Sequence, residues 1–300
     1  MIQRTEALDS ELSRIYGRVV AFIELTKPRL VLMVLITTFV GFYLASPHVL
    51  DWAKLIHTTV SIGLAAGGVL ALNQYLERDQ DARMERTQGR PLPDKRLQPT
   101  EALVFGVVLT IVGLLYLTSV VNILSGLIVA AIVVSYLFIY TPLKQKSSLC
   151  TVAGAIPGAL PPVAGWVAAR GTFNFEAGVL FAILFLWQLP HSLSIACLYR
   201  DEYAQAGFRL LPVIHPDGAS TRRQIVSNSL GLLVVALIPT LIGLAGVVYF
   251  FAALLLSGVF LAFGIHFAVA RSTVAAKHLL HASLVYLPLT FLMMALDKVV

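Results

Sequence analysis

The chain is short of charge. Asp, Glu, Lys and Arg together fill 13% of its 300 positions, about half the share of an ordinary soluble domain. With 58% hydrophobic residues and a mean hydropathy of +0.83, an ordinary water-soluble globule is excluded. Cysteine is scarce as well. Cys150 and Cys197 both sit in or beside apolar stretches, which suits small core residues and leaves the redox compartment open. Walker, nucleophile-elbow and dinucleotide-binding motifs are missing. No pair of histidines has metal-ligand spacing: His48 and His57 fall near one end of the apolar runs, His266 inside one, and His278 and His281 flank the start of the last. Low-complexity tracts are missing too, so residues 1–300 read as a single domain.

What is present is a series of apolar runs. A bilayer core takes about 20 apolar residues as helix, and nine stretches reach that scale: 28–46, 56–77, 101–120, 123–140, 150–168, 177–198, 227–245, 247–269 and 280–297. The fold class is therefore all-α, a polytopic membrane protein of about nine helices. Nineteen of the 22 Lys and Arg residues fall on one side of this arrangement. Only Lys54, Arg170 and Lys298 are left for the other. The positive-inside bias then makes the N-terminus cytoplasmic and the C-terminus external. The net charge of +6 follows from topology and anionic lipid rather than nucleic acid.

Residues 1–27 lack the short apolar core of a cleaved signal, being interrupted by Glu6, Asp9, Glu11 and Glu24. Val19, Val20, Phe22 and Ile23 beside Arg14 and Arg18 predict a partly amphipathic helix on the cytoplasmic surface. The loops over 78–100 and 200–226 are long, and long loops in a compact fold tend to bind or cover something. Function is expected at the cytoplasmic mouth.

The second apolar run ends in Asn73, Glu77 and Asp81, spaced four apart, so a helix would carry all three on one face. Three oxygen-bearing side chains at a membrane boundary are costly unless they serve a ligand. Hard divalent ions such as Mg²⁺ take such oxygens and keep positions open for phosphates. Arg83, Arg86 and Arg90 follow, and guanidinium groups match phosphate oxygens. Taken singly, each arginine is equally well explained by topology.

A second group ends the sixth run: Gln188, Pro190 and His191, then Tyr199, Arg200, Asp201, Glu202 and Tyr203. His191 and Glu202 are eleven apart, so a continuous helix would put both on one face, and the acidic pair could hold a second metal ion. After the fourth run, Tyr140, Lys144 and Lys146 offer cavity and phosphate contacts, or plain interfacial aromatic and basic residues. Pro157, Pro161 and Pro162 predict a bent fifth helix.

A metal–diphosphate site facing an apolar cavity suits an isoprenyl diphosphate, whose allylic cation must be kept from water. The sequence resembles the UbiA-type intramembrane prenyltransferases, and within them the haem-modifying branch. The resemblance covers nearly the whole chain and rests on 73–93, Tyr140–Lys144, Gly154–Pro162, Trp187–His191 and Tyr199–Tyr203. It implies nine helices around a central cavity open to the cytoplasm, in a bacterial inner membrane. It also implies Mg²⁺-dependent transfer of a farnesyl group from farnesyl diphosphate to a vinyl group of haem B. A haem A synthase or terminal oxidase would receive the product.

On the same resemblance, Asn73, Glu77 and Asp81 form the first metal motif, Glu77 standing where the wider family has Asp. Arg83, Arg86, Arg90, Lys144, Lys146 and Arg200 assist with diphosphate. His191, Gln188, Tyr140, Tyr199 and Tyr203 face haem or cavity. The second motif of the family is two Asp four apart. Here Asp201 is followed by Gln205, leaving Asp201 and Glu202 as the substitute pair. Three alternatives stay open: another lipophilic acceptor such as a quinone precursor or chlorophyllide, an ion-coupled transporter, or a non-catalytic assembly factor.

Overall fold

A computed structural model describes residues 2–47 and 49–299, with side chains from Arg14 onward. The side chains of Glu6, Asp9 and Glu11, and the whole of His48, lie outside what it describes. Helix α1 covers Ile2–Leu25. Nine helices long and apolar enough to cross a membrane follow among the described residues: α2 Pro28–Ala45, α3 Trp52–Leu76, α4 Pro99–Val121, α5 Ile123–Leu143, α6 Cys150–Arg170, α7 Phe175–Leu198, α8 Ala219–Leu241, α9 Val247–Ala270 and α10 Thr273–Leu296. This is a multi-pass membrane protein.

Two boundaries depart from the hydropathy pattern. Helix α8 starts at Ala219 rather than near 227, and α10 at Thr273 rather than 280. Their first turns are polar, Thr221-Arg222-Arg223-Gln224 and Lys277-His278, and such turns form helix outside the apolar layer without a hydropathy signal. His278 and His281 therefore lie within α10 instead of flanking its start. The bend in α6 is present: the helix divides at Leu160 between Cys150–Ala159 and Pro161–Arg170, as consecutive prolines remove two donors.

The spans form a closed ring. Neighbours pack as α2 on α3, α3 on α4, α6 on α7, α7 on α8, α8 on α9 and α9 on α10, while α2 packs on α6 across the middle and touches α10. The α2–α6 crossing is built on small residues. A Cβ on Gly165 would collide with the Thr38 carbonyl, and one on Gly41 with the backbone of Pro162. The ring is clasped at the end opposite the basic loops, where Lys298 Nζ donates to the carbonyls of Tyr43 and Ser46 and Arg170 Nε to Ala45 O at 2.8 Å.

Helix α1 behaves as a surface helix. Ala21 and Leu25 are buried beneath it while Ile15, Tyr16, Val19 and Ile23 stay exposed. Arg18 pairs with Glu101 and Glu24 with Arg96, tying α1 to the start of α4 and the loop before it.

Candidate functional site

Helix α3 runs out at Glu77, whose φ of −101° and ψ of 10° leave the helical basin. A four-residue helix, Arg78–Asp81, continues the chain. Glu77 N donates to Asn73 O at 3.0 Å and Asp81 N to Glu77 O at 2.8 Å. The four-residue repeat thus survives the break, and Asn73, Glu77 and Asp81 remain one stripe. All three are buried, at 2%, 4% and 1% exposure. Buried polar groups need partners, and each has its own cation. Lys27 Nζ donates to Asn73 Oδ1 at 3.3 Å, Lys144 Nζ lies 2.7 Å from Glu77 Oε1, and Arg90 Nη1 donates to Asp81 Oδ2 at 2.6 Å.

Local backbone chemistry delivers each cation. Lys27 precedes Pro28, which disfavours the right-handed helical region, and it stands at φ 49°, ψ 67° as the cap of α2. Lys144 follows a π-helical turn at Ser135–Tyr140. Pro142 cannot donate to the carbonyl four residues back, and the ladder widens around it. The turn places Thr141 Oγ1 3.2 Å from Asn73 Nδ2, which donates to it, and lays the Lys144 ammonium 4.5 Å from the Tyr140 ring centre. The Tyr140 ring occupies the room a side chain on Gly154 would need. Arg90 is set by the loop after Asp81, pinned where Thr87 Oγ1 donates to Asp81 O at 2.8 Å.

The charges act on one another. Burial, together with Arg90 and Lys144, pulls the Lys27 ammonium down to about 7. Burial lifts the Asp81 carboxyl above its ordinary value against the pull of Arg90. Burial also opposes the Lys144 charge, but Glu77 and the tyrosines beside it outweigh that and hold the group well above the usual lysine value.

The second acidic group is built differently. Helix α7 ends at Leu198, and Tyr199 at φ −110°, ψ 28° breaks it before a short helix, Arg200–Gln205. His191 and Glu202 therefore do not share one continuous helical face. The Asp201 side chain is 84% exposed and pairs with its neighbour Arg200 at 3.3 Å. Glu202 Oε2 instead accepts from the Arg86 backbone N at 3.2 Å. Arg86 also donates to the Tyr203 hydroxyl at 3.1 Å and lies 4.8 Å from the Tyr199 ring centre. The two long loops are thus latched through Arg86, over a small apolar contact of Met84, Ala206 and Phe208. Arg83 and Lys146 are exposed, with no side-chain hydrogen bond or ion pair among the described residues.

Deeper in α7, His191 Nδ1 lies 2.7 Å from Ser283 Oγ of α10. Trp187 stacks on the imidazole at 4.9 Å and donates to Ser283 O at 2.9 Å. The Gln188 amide fills the notch above Gly158.

Lys27, Thr141 and Ser283 were not singled out by residue pattern. Only Lys27 had a usable signal: a cation immediately before a proline at the mouth of the first span.

Among the described residues no three His, Cys, Asp or Glu side chains converge as a ready cation cage. The stripe nevertheless offers oxygen donors alone, and Gln80 Oε1 is buried beside it without a hydrogen-bond partner. This donor set fits a hard cation that keeps most of its water and arrives with a phosphate, as Mg²⁺ does.

Known proteins resemble the chain along most of its length. The model of the UbiA prenyltransferase family matches residues 34–291. A protoheme IX farnesyltransferase of Solibacter usitatus is 46% identical over 286 residues, covering 92% of this chain and 98% of the relative. Among solved structures, a digeranylgeranylglyceryl phosphate synthase aligns with a TM-score of 0.78 at 14% identity, over 93% of this chain and 98% of the other. A UbiA homologue from Archaeoglobus fulgidus bound to GPP and Mg²⁺ aligns with a TM-score of 0.63 at 15% identity, over 91% and 99%. At such identities the structural likeness speaks for the fold.

Proposed function

The chain belongs to the UbiA prenyltransferase family, and we propose that it moves a farnesyl group from farnesyl diphosphate to a vinyl group of haem B. The observation that carries this is the pairing of three buried oxygen donors with three separate cations at the basic mouth of the ring. The acceptor is chosen by the length and identity of the match to protoheme IX farnesyltransferases.

Asn73, Glu77 and Asp81 would hold Mg²⁺ carried in with the diphosphate, and the ion would neutralise charge growing on the departing pyrophosphate. Lys144 and Arg90, released from Glu77 and Asp81, turn to the phosphate oxygens; the site trades internal ion pairs for substrate ones. Lys27 stands close enough to join them. Arg86 holds the loop over 82–98 against the Arg200–Gln205 helix, with Tyr199, Tyr203 and Glu202 as its anchors. The loop thereby keeps water from the reacting carbon.

The C1–O bond breaks with its electron pair leaving on pyrophosphate. The vinyl carbon of haem forms the new C–C bond, and water captures the remaining cation with loss of a proton. The product is a hydroxyethylfarnesyl haem. His191, fixed by Ser283 and Trp187, and Gln188 face the acceptor. In the bacterial inner membrane the mouth faces the cytoplasm, and a haem A synthase or terminal oxidase takes the product. Asp201 and Glu202 assist at the rim, where Arg83, Lys146 and Arg200 draw the diphosphate in.

Incubating the purified protein with haem B, farnesyl diphosphate and Mg²⁺ and weighing the haem tests the reading. A farnesyl-plus-hydroxyl mass gain supports it, and none refutes it.

A further inference from the structure

Helices α9 and α10 leave an apolar groove of about 320 Å³ between them, lined by Leu256, Val259, Phe260, Phe263, Val285 and Tyr286 together with His278 and His281. Both imidazoles are exposed, His278 in the polar first turns of α10 and His281 one turn further on, inside the apolar part of the span. An ionisable group on such a surface is expensive unless something satisfies it. Three residues apart, they share one face of α10. Lys277 lies four residues before His281, one turn nearer the basic mouth, and is exposed as well. The groove floor is firm: Tyr286 stacks on Phe260 at 5.2 Å, and its hydroxyl meets Ser257 Oγ at 2.9 Å.

Apolar walls, a nitrogen donor pair and a cation at the water-facing end match a flat apolar macrocycle with a central metal and acidic side chains at one edge. We infer that this groove is a lateral berth for haem B, with an imidazole of His278 or His281 on the iron and Lys277 at the propionates. This rests on haem B being the acceptor. An acyl chain alone would leave the His281 imidazole, inside the apolar part of the span, without a partner. The berth lies across α10 from the His191 pocket: Ala282 lines the groove, and the next residue, Ser283, holds His191. Haem drawn from the lipid would therefore wait one helix away from the proposed acceptor position.

The experiment titrates purified protein in lipid nanodiscs with haem B and reads the Soret band and the iron spin state. His278→Ala/His281→Ala is expected to lose the Soret shift of imidazole-ligated haem and bind haem more weakly, while His191→Ala keeps that shift. Val285→Trp, which fills the groove and leaves both imidazoles, is expected to weaken haem binding as well. Farnesyl diphosphate binding at the mouth, unchanged in all variants, shows that they are folded. An unchanged spectrum and affinity in the double variant overturns the berth, whether or not haem is farnesylated. Haem that binds through the pair yet gains no farnesyl group leaves the berth standing and overturns the acceptor assignment instead.

Discussion

Lys144 Nζ lies 2.7 Å from Glu77 Oε1, joining the end of α5 to the end of α3 through an ion pair that is almost wholly shielded from water. A buried pair of this kind contributes little net stability when intact but is costly to break from one side. On the proposed function the pair is kept for exchange, each partner gaining a better one when a metal–diphosphate arrives.

Glu77→Gln removes that charge with little change in volume. Turnover should fall by about 10² or more, the scale of losing one preorganised electrostatic group. Haem binding should be unaffected, and the comparison of steady-state rates with haem titrations checks both.

Arg90→Lys keeps the charge beside Asp81 but loses the planar fork. The diphosphate grip should weaken, seen as a rise in KM for farnesyl diphosphate of about tenfold, the equivalent of ~1.4 kcal/mol. A variant with wild-type KM would remove Arg90 from the diphosphate site.

Arg86→Ala unlatches the two loops. Cleavage by added protease within 82–98 should speed up, and KM for farnesyl diphosphate should rise about two- to fivefold, as expected for an exposed cation–π contact. Proteolysis rates like those of the parent would contradict the latch.

Gly165→Val tests the fold rather than the chemistry. Its side chain meets the Thr38 carbonyl at the α2–α6 crossing, so thermal unfolding in detergent should move down, with a loss of about 1–3 kcal/mol or more. Gly258→Ala, at a glycine with open space around it, is the control expected to unfold like the parent.

Much of this was legible before any coordinates. Nine spans stand out because each apolar run exceeds a bilayer thickness, and the Asn73–Glu77–Asp81 stripe because four-residue spacing survives even a helix break. The polar starts of α8 and α10 were hidden, since hydropathy marks where lipid begins rather than where helix begins. Lys27 was hidden for a related reason: basic residues flanking a first span are expected from topology alone. Nothing in the sequence around Asp201 tells that Tyr199 breaks the helix, turning Asp201 to solvent and Glu202 to Arg86. Residue type picked out the oxygen donors and the basic loop beside them; the pairing of each oxygen with a particular cation needed the long-range packing of α3, α5 and the 82–98 loop.

The most direct test of farnesyl transfer is the mass of haem B after incubation with the purified chain and farnesyl diphosphate, with Mg²⁺ and with excess EDTA. The expected result is a farnesyl-plus-hydroxyl gain that requires the metal and is slowed about 10² or more in Glu77→Gln. No gain, or an equal gain in EDTA, would contradict it.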